Sequence, residues 1–258
     1  MDWEWVVDRE AKPRRSGLTM VIDTGMGLRA FEDLLQVAGH YIDFIKLGFG
    51  TTALTPLHIL KQKIESAKRH DVWIYPGGTF FESAFANGNW EQFFEKLEET
   101  GFPAVEISEG TLSLPPGMRK MIIQKASESF LVLSEVGKKS KGSQVTLQEL
   151  RHTFEEDRAA GASYVIVEGR ESGKDVGIYD QAGQLDPNFV NEARSVTGPN
   201  IIWEAPLKSQ QVSLIHLLGP ELHLGNIAPS DALSVETLRR GLRSDTFHLQ
   251  FPAEAIPK

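Results

Sequence analysis

Short apolar segments recur along the chain about every thirty residues, and most of them end at a charged, amide or glycine-rich group. They occupy residues 18–23, 42–46, 72–76, 104–108, 131–135, 164–168, 201–204 and 222–226. A strand that is buried on both faces reads as a continuous apolar run, so its charged residues are confined to its ends. Because the charge here collects at the C-terminal ends, the pattern predicts an eight-stranded barrel whose functional groups lie at that rim.

The segments between these runs carry helix signals, which completes the strand–helix repeat of an α/β barrel. Thr55 and Asn89 are the predicted N-caps of two helices, and Thr146 begins a capping-box pattern before a third. Gly101 and Gly161 stand where two of these helices are expected to end. Strand and helix patterns therefore alternate to the last predicted helix.

We predict one α/β domain, a (β/α)8 TIM barrel over residues 1–258, because about 250 residues is the usual size of this fold. Residues 1–17 form an N-terminal extension that either closes the barrel bottom or remains a solvated arm. Residues 244–258 form a C-terminal tail with alternating apolar residues, at Phe247, Leu249 and Phe251. This tail either packs on a neighbouring molecule or covers a barrel end.

The composition favours a soluble globular protein. Hydrophobic residues make up 41% of the chain and charged residues 24%, which is enough for a sizeable core and a polar surface. The apolar runs fall far short of the roughly 18 residues of a membrane span. The first residues lack the basic and apolar regions of a signal peptide. We therefore expect a cytoplasmic protein that does not bind membranes and that forms a homo-oligomer.

The overall charge and the absence of cysteine exclude several classes of function. A net charge of −8 argues against nucleic acid as the main partner, because phosphate binding calls for clustered Lys and Arg. It leaves small anions open, since a few cations inside a cleft can outweigh the global charge. With no cysteine in the chain, thiolate nucleophiles and cysteine-based zinc sites are ruled out.

Charged side chains of both signs stand at or near the ends of the predicted strands. The carboxylates are Asp23, Glu106, Glu135, Glu168 and Glu204, and the basic residues at matching places are Lys46, Lys138, Arg170 and Lys208. So many anions repel one another unless cations or a metal ion offset them. Carboxylate oxygens suit Mg²⁺, which usually takes one or two of them together with substrate and water. A mixed ionic cluster is therefore expected at this end of the barrel.

Two glycine-containing loops are candidates for holding an anion. Gly77 and Gly78 follow the third run and offer bare backbone N–H groups that can cradle an oxyanion, although a tight turn explains them equally well. Gly225 and Asn226 end the eighth run and precede a predicted short turn, where barrels often bind phosphate at a helix N-terminus. Lys208, on the preceding loop, would complement that site.

Several stretches at the predicted strand ends resemble the phosphosulfolactate synthase family. They are GLTMVID at 17–23, DFIKLGFGT at 43–51, PGGT at 76–79, VEIS at 105–108, SEVGKK at 134–139, ESG at 171–173 and LGNI at 224–227. The resemblance covers nearly the whole chain. It implies a (β/α)8 carbon–sulfur lyase that joins sulfite to phosphoenolpyruvate with Mg²⁺, giving (2R)-3-phosphosulfolactate. In archaea this product leads towards coenzyme M, bacterial members are linked to 3-sulfolactate made during sporulation, and plant relatives are associated with heat-stress tolerance.

The implied reaction assigns expected roles to the strand-end residues. Sulfite would attack C3 of phosphoenolpyruvate and leave an enediolate, which Mg²⁺ and nearby cations stabilise. A general acid must then protonate C2, and we predict Lys138 for this step in preference to Lys139. Glu135 and Lys46 are the other predicted catalytic residues.

The remaining candidates are assigned to the metal ion and to the substrate anions. The predicted Mg²⁺ ligands are Glu106, Glu135 and Glu168. The predicted substrate-binding residues are Arg170, Lys208, Gly77, Gly78, Gly225 and Asn226.

Two other functions are compatible with the same sequence. A barrel aldolase could use Lys46, or a lysine near the sixth strand, to form a Schiff base with a keto substrate, and borohydride trapping would reveal the adduct. A catalytically idle stress or scaffold protein could retain the fold alone. The near-complete set of charges at the strand ends argues against this last reading.

Overall fold

The structure, a computed structural model, describes residues 3–250 and consists of eight parallel strands alternating with helices. The strands are β1 (Thr19–Asp23), β2 (Phe44–Leu47), β3 (Trp73–Pro76), β4 (Ala104–Ile107), β5 (Leu131–Val136), β6 (Tyr164–Val167), β7 (Ile201–Glu204) and β8 (His223–Ile227). Their hydrogen-bonded order is β3-β2-β1-β8-β7-β6-β5-β4, and β3 also lies beside β4. The sheet is thus a nearly closed barrel, which confirms the predicted (β/α)8 fold.

Helices follow the strands around the outside of the barrel. They are α1 (Leu28–Ala38), α2 (Thr51–Leu54), α3 (Leu57–Arg69), α4 (Gly78–Ala86), α5 (Trp90–Thr100), α6 (Met118–Ala126), α7 (Leu147–Ala160), α8 (Pro187–Thr197), α9 (Lys208–Leu218), α10 (Ala232–Arg239) and α11 (Phe247–Gln250). Short 3-10 helices lie at Gly39–Tyr41 and Pro229–Asp231. The second of these is the short turn expected after the last strand.

Most of the predicted helix boundaries are confirmed. Thr146 caps α7 by accepting the N–H of Glu149 at 3.1 Å, and Gly161 ends that helix in a left-handed conformation. The predicted cap at Thr55 is wrong, because its hydroxyl donates to the carbonyl of Thr51 at 2.8 Å and so closes α2. Helix α3 begins after Pro56 with no side-chain cap.

Side chains alternate along each strand between the barrel interior and the surrounding helices. The interior layer contains Leu18, Met20, Phe44, Tyr75, Ala104, Leu133, Ile166 and Ile202. The side chains of the other parity, such as Val21 and Ile45, pack beneath the helices in a larger cluster. The barrel is therefore filled with apolar side chains, and this filling forms a dry floor below the C-terminal rim.

Counting two residues onward from members of the interior layer reaches the rim of the barrel. The positions reached are Lys46, Gly77, Glu106, Glu135, Glu168 and Glu204. All of them line the cavity at the C-terminal ends of the strands. The alternation that buries the apolar layer thus directs five charged side chains to one place.

The N-terminal segment lies across the opposite end of the barrel. Arg14 pairs with Asp43, which precedes β2, at 3.1 Å. The ammonium of Lys12 donates to the carbonyls of Gly39 at 2.7 Å and His70 at 3.0 Å. Of the two alternatives for this segment, the structure places it against the barrel bottom.

The described part of the C-terminal tail packs on the helical layer. Asp245 pairs with Lys208 at 2.7 Å, and its carbonyl contacts the His216 ring at 2.8 Å. Phe251, the last member of the predicted apolar alternation, lies outside the described residues. Within residues 3–250, every helix is too short or too polar to cross a lipid bilayer.

Candidate active site

The C-terminal ends of the strands surround an open cavity of about 430 Å³, which we call the mouth. Lys139 and Arg170, on the loops after β5 and β6, line its charged side. Ile22 and Phe49, together with glycines of the loops after β2 and β3, line the other side. The mouth therefore offers an ionic wall opposite an apolar and glycine-rich one.

Lys46 is the central cation of the mouth. Its ammonium lies 3.1 Å from Glu106, 3.1 Å from Glu204 and 3.5 Å from Glu135. Burial opposes the charged form of this lysine, but the three carboxylates outweigh burial and raise its pKa well above the ordinary value. Lys46 is thus a fixed positive charge at neutral pH.

A second cation, Lys139, enters the mouth from the loop after β5. Its ammonium donates to Glu135 and, at 2.6 Å, to Glu168. Burial opposes its charge, but these two carboxylates raise the pKa of Lys139 above the ordinary value. Glu135 therefore bridges the two ammonium groups, of Lys46 and Lys139.

Three of the carboxylates respond differently to this environment. Burial raises the pKa of Glu106 to about 7, although Lys46 partly offsets the effect. Burial also raises the pKa of Glu168 well above the ordinary value, and the neighbouring Glu135 adds to the rise. For Glu135 burial is outweighed by Lys139 and Lys46, so its pKa falls to about 2. Glu135 is the carboxylate held most firmly in the charged form.

A metal ion would find its ligands in a set that differs by one residue from the predicted one. Oxygen atoms of Glu135, Glu168 and Glu204 lie within 4.8 Å of one another, and all three side chains are buried. Glu106, predicted as a ligand, instead accepts the Gly78 N–H at 2.8 Å. An all-oxygen donor set suits Mg²⁺, and the buried Oε2 of Glu135 has no hydrogen-bond partner. These residues fit a hard divalent cation.

Asn226 reaches the mouth because β8 contains a bulge. Thr19 pairs with Leu224 but Val21 pairs with Ile227, so β8 carries one extra residue over this stretch. Asn226 has φ 51°, a left-handed conformation that asparagine tolerates better than most residues. Its amide oxygen is buried without a hydrogen-bond partner. The bulge therefore presents an unengaged amide to the cavity.

The glycines after β3 begin helix α4, so the predicted loop is a helix start. A Cβ on Gly78 would lie 2.5 Å from the Ser108 hydroxyl and 2.7 Å from Glu106. A Cβ on Gly77 would lie 3.3 Å from the Lys46 side chain. Both glycines line the mouth, yet their small size is needed to seat Lys46 and Glu106 against the loop.

Arg170 also lies in the mouth, at the start of the loop after β6. It has φ 55°, and its backbone N–H donates to Glu168 at 2.7 Å and Glu204 at 3.2 Å. Its guanidinium donates to the Lys139 carbonyl at 3.0 Å and stays partly exposed. Arg170 therefore orients two carboxylates with its backbone and keeps donors free for a ligand.

Four candidate residues from the sequence lie away from the mouth. Asp23 faces the helices, where it pairs with Lys63 at 2.6 Å, because its parity on β1 is the opposite of Ile22. Lys208 extends along α9 to Asp245 and is half exposed. Gly225 lies below the rim, where a Cβ would be 2.4 Å from Met20. The fourth is Lys138, whose ammonium binds backbone carbonyls outside the mouth.

The structure thus brings Lys139, and not Lys138, to the carboxylates. Strand β5 ends at Val136 and Gly137 has φ 117°, so the alternation of the strand does not extend to these lysines and gave no signal for their order. Glu204 does have such a signal, because it lies two residues after Ile202 on β7. The hydroxyl of Tyr179, which donates to the Glu204 carbonyl at 2.6 Å, carries none, since it comes from an irregular loop.

Comparison with known proteins finds a family match over most of the chain. The profile of the family "(2R)-phospho-3-sulfolactate synthase (ComA)" matches residues 7–245. The phosphosulfolactate synthase of Methanocaldococcus jannaschii is 45% identical over 235 residues, covering 90% of this chain and 94% of that protein. The Bacillus subtilis phosphosulfolactate synthase is 40% identical and covers 93% of this chain and 96% of its own length.

More distant similarities concern the fold. The solved structure of the YdjI aldolase from Escherichia coli K12 superposes with a TM-score of 0.58 at 11% identity, covering 91% of this chain and 84% of that one. A 3-hexulose-6-phosphate synthase superposes with a TM-score of 0.54 at 13% identity, covering 86% of this chain and 98% of that one. At such identities these structures share the barrel architecture with this chain and nothing more.

Proposed function

The chain belongs to the (2R)-phospho-3-sulfolactate synthase family and is a lyase of that type, and from this we propose that it adds sulfite to phosphoenolpyruvate to form (2R)-3-phosphosulfolactate. In this reaction the sulfur of sulfite forms a bond to C3, and the π electrons of the C2–C3 bond move towards the carboxylate. A proton then adds to C2. Nothing leaves, so the two substrates are joined atom for atom.

The single observation that carries the proposal is the buried ionic cluster in the mouth. Both substrates are anions, and the reaction concentrates further negative charge on the phosphoenolpyruvate carboxylate. Lys46, Lys139 and Arg170 place fixed positive charge around one cavity. Preorganised charges in a water-poor site stabilise such a transition state far better than water does.

The carboxylates are suited to holding the metal ion that this chemistry needs. Glu135, Glu168 and Glu204 would hold Mg²⁺, in place of the set with Glu106 expected from the sequence. Bound there, Mg²⁺ would supply a Lewis acid for the substrate carboxylate. Glu106 remains tied to Gly78 and Lys46 and orients that lysine.

We assign the proton donor to Lys139. Its ammonium carries a proton at neutral pH and lines the mouth. Glu135 and Glu168 raise the pKa of Lys139 and so oppose release of that proton, because a general acid works best with a pKa near the working pH. Lys46 is the poorer donor, because three carboxylates oppose release of its proton. Protonation by Lys139 would come from the side of the loop after β5, which gives C2 a single configuration.

Arg170 and Asn226 are proposed to bind the substrate oxygens. The guanidinium of Arg170 is partly exposed at the rim and can pair with a phosphate or sulfite oxygen. The side-chain oxygen of Asn226 has no hydrogen-bond partner, and this residue lines the same cavity. Both lie at the C-terminal face, Arg170 on a loop and Asn226 in β8, where barrels bind phosphate.

The aldolase hypothesis is disfavoured by the positive charge of Lys46. A Schiff base forms only from the neutral amine, and the carboxylates around Lys46 hold it in the charged form. Borohydride in the presence of a keto substrate should therefore leave Lys46 unmodified. Trapping of an adduct there would favour an aldolase.

One incubation tests the proposed reaction. Purified protein with phosphoenolpyruvate, sulfite and Mg²⁺ should yield phosphosulfolactate by mass spectrometry, with one deuterium at C2 when the solvent is D₂O. Omitting sulfite or adding a chelator is the control and should stop product formation. A folded, Mg²⁺-supplied protein that forms no product would contradict the proposal.

The biological setting stays a set of predictions. We place the protein in the cytoplasm as a homo-oligomer, and its product would serve coenzyme M or sulfolactate synthesis. Cell fractionation and analytical ultracentrifugation test the first two of these expectations.

A further inference from the structure

Lys138 and Lys139 are adjacent in the chain, but the Lys139 side chain enters the mouth and the Lys138 side chain lies outside it. The ammonium of Lys138 donates to the carbonyls of Glu109 at 2.7 Å and Leu112 at 2.9 Å, and to the Ser113 hydroxyl at 3.2 Å. These three acceptors belong to residues 108–113, the first part of the loop between β4 and α6, and we call this part the β4 loop. Lys138 therefore straps the loop after β5 to the β4 loop.

The β4 loop is fastened from its other side by a buried carboxylate. Glu82, on helix α4, is only 3% exposed and accepts the N–H groups of Thr111 at 2.7 Å and Leu112 at 3.0 Å. It also accepts the hydroxyl of Ser108. With Glu82 on one side and Lys138 on the other, the β4 loop is held at both of its faces.

The β4 loop contacts both the backbone and the side chain of Lys139. The backbone N–H of Lys139 donates to the Gly110 carbonyl at 2.9 Å. The side chain of Lys139 lies across Gly110, where an added Cβ would be 2.7 Å from its Nζ and 2.8 Å from its Cγ. The β4 loop is therefore the surface on which Lys139 rests as it reaches Glu135 and Glu168.

We propose that Lys138 is a positioning residue, which straps the β4 loop so that Lys139 is held with its ammonium in the mouth. The inference rests on the proposed function only in taking Lys139 as the proton donor. Without the strap, the β4 loop and the Lys139 backbone lose their common anchor, and the ammonium spends less time among the carboxylates. A misplacement of about 1 Å in a reacting group can lower turnover by a hundredfold, so a moderate loss of order matters.

The experiment uses three single variants of the full chain. Lys138→Met keeps the length of the side chain and removes its donors, whereas Lys138→Arg keeps donors that can reach the same carbonyls. Lys141→Met is the matched control, since it removes an exposed positive charge from the same loop, and Lys141 has no hydrogen-bond or ion-pair partner among residues 3–250. Thermal unfolding of all three should match the parent, because Lys138 and Lys141 are exposed.

Two readouts separate positioning from a merely structural role. The first is the acetylation rate of Lys139 by an N-hydroxysuccinimide ester, followed by mass spectrometry. We expect it to rise severalfold in Lys138→Met and to stay at the parent value in Lys141→Met and Lys138→Arg. The second is the split between kcat and KM, where Lys138→Met should lower kcat about tenfold with little change in KM for phosphoenolpyruvate.

A parent-like acetylation rate of Lys139 in Lys138→Met would overturn the proposal, whatever happens to turnover. An equal rise in Lys141→Met would also overturn it, because the cause would then be lost charge and not a lost strap. If the parent protein itself forms no phosphosulfolactate, the proposed function fails. The acetylation rates would still decide whether Lys138 positions Lys139.

A substitution at Gly110 tests the contact between the β4 loop and Lys139. Gly110 does not need a positive φ, so Gly110→Ala fits the backbone, and its Cβ displaces the Lys139 side chain from its Cγ to its Nζ. We expect faster acetylation of Lys139, a lower kcat and a lower melting temperature, because the displaced ammonium leaves the buried Glu135 and Glu168. Parent-like acetylation of Lys139 in Gly110→Ala would show that the β4 loop does not support it.

Discussion

At the scale of single residues, the charge in the mouth is unevenly balanced. Four carboxylates, from Glu106, Glu135, Glu168 and Glu204, share two ammonium groups, from Lys46 and Lys139. Protons or a cation must offset the remaining charge, because buried like charges repel strongly. Burial raises the pKa values of Glu106 and Glu168, and repulsion by neighbouring carboxylates adds to the rise. The cluster is therefore ready to accept a cation or an ammonium group.

Replacing Lys139 by Met should abolish most of the turnover without unfolding the protein. A positioned general acid contributes typically about 10² to 10⁴ in rate, so kcat should fall by that much in the phosphosulfolactate assay. Lys61→Met, which alters an exposed lysine of α3, is the control and should behave like the parent. Turnover by Lys139→Met within a few fold of the parent would move the donor role elsewhere.

His223 at the barrel bottom should make stability depend on pH. Burial, with a smaller effect of Arg239, lowers its pKa to about 4, and its Nδ1 accepts the Leu18 N–H at 3.1 Å. The unfolded chain binds this proton near pH 6.5 and the folded one only near pH 4. Stability is therefore lost as the pH falls between these values, by about 3 kcal/mol from this group.

The variant His223→Asn tests that dependence, because its amide oxygen can accept the same N–H and does not titrate. Urea unfolding at pH 7 and pH 5 should show a smaller loss for the variant than for the parent. The variant should be less stable at pH 7, since it loses the ring contact with Tyr164. Equal losses in the two proteins would exclude His223 as the cause.

At the scale of elements, strand alternation and its local failures decide what enters the mouth. Along β2 and β5 the alternation carries Phe44 to Lys46 and Leu133 to Glu135 without interruption. In β8 a bulge breaks the alternation and turns Asn226 inwards. The regular strands were predictable from period-two patterning. The bulge was not, because it depends on pairing with β1.

Two substitutions at Asn226 should distinguish the effect of its backbone conformation on stability from the effect of its side-chain amide on substrate binding. Asn226→Gly keeps the left-handed conformation, so we expect unfolding free energy close to that of the parent. Asn226→Ala forces a Cβ into that conformation and should cost about 1 kcal/mol. If the amide binds substrate, both variants should raise KM for phosphoenolpyruvate to the same extent. Equal stability of the two variants would argue against strain in the bulge.

At the scale of the whole molecule, the groups proposed for catalysis lie at one end of the barrel, and a set of buried stabilising groups lies at the other. The mouth contains buried charged side chains, whose burial is energetically unfavourable. The bottom is covered by the N-terminal segment, which is held there by Arg9, Lys12 and Arg14. Arg239 lies fully buried at that end and donates to the Leu18 and Leu222 carbonyls. Changes at the bottom should therefore affect stability and leave the chemistry intact.

Arg14→Met tests this division. Removing one partner of the buried pair with Asp43 leaves an unpaired carboxylate, which typically costs about 3 to 5 kcal/mol. The melting temperature should fall, while kcat measured well below it stays at the parent value. Arg15→Met, next to it and exposed, should change neither quantity. A lower kcat in folded Arg14→Met would show that the two ends are coupled.

Much of the fold and part of the site were predictable for reasons that particular residues make plain. The eight strands followed from the recurring apolar runs. The ends of α5 and α7 followed from Gly101 and Gly161, which stand at the C-terminal ends of these helices. Glu135, Glu168 and Lys46 were expected in the mouth and lie there. Asp23 and Lys208 were expected there too, but a strand end is only a position along the chain, and a side chain also has a direction.

The amino-acid sequence by itself determined the barrel, its functional end and its family resemblance, because strand periodicity, helix caps and motif order are local properties of the chain. Tertiary structure alone decided that Lys139 enters the mouth while Lys138 fastens the β4 loop, and that Glu204 takes the place of Glu106 among the candidate metal ligands. Those choices depend on contacts between loops distant in sequence. Such contacts fix the direction of a side chain, which no single segment encodes.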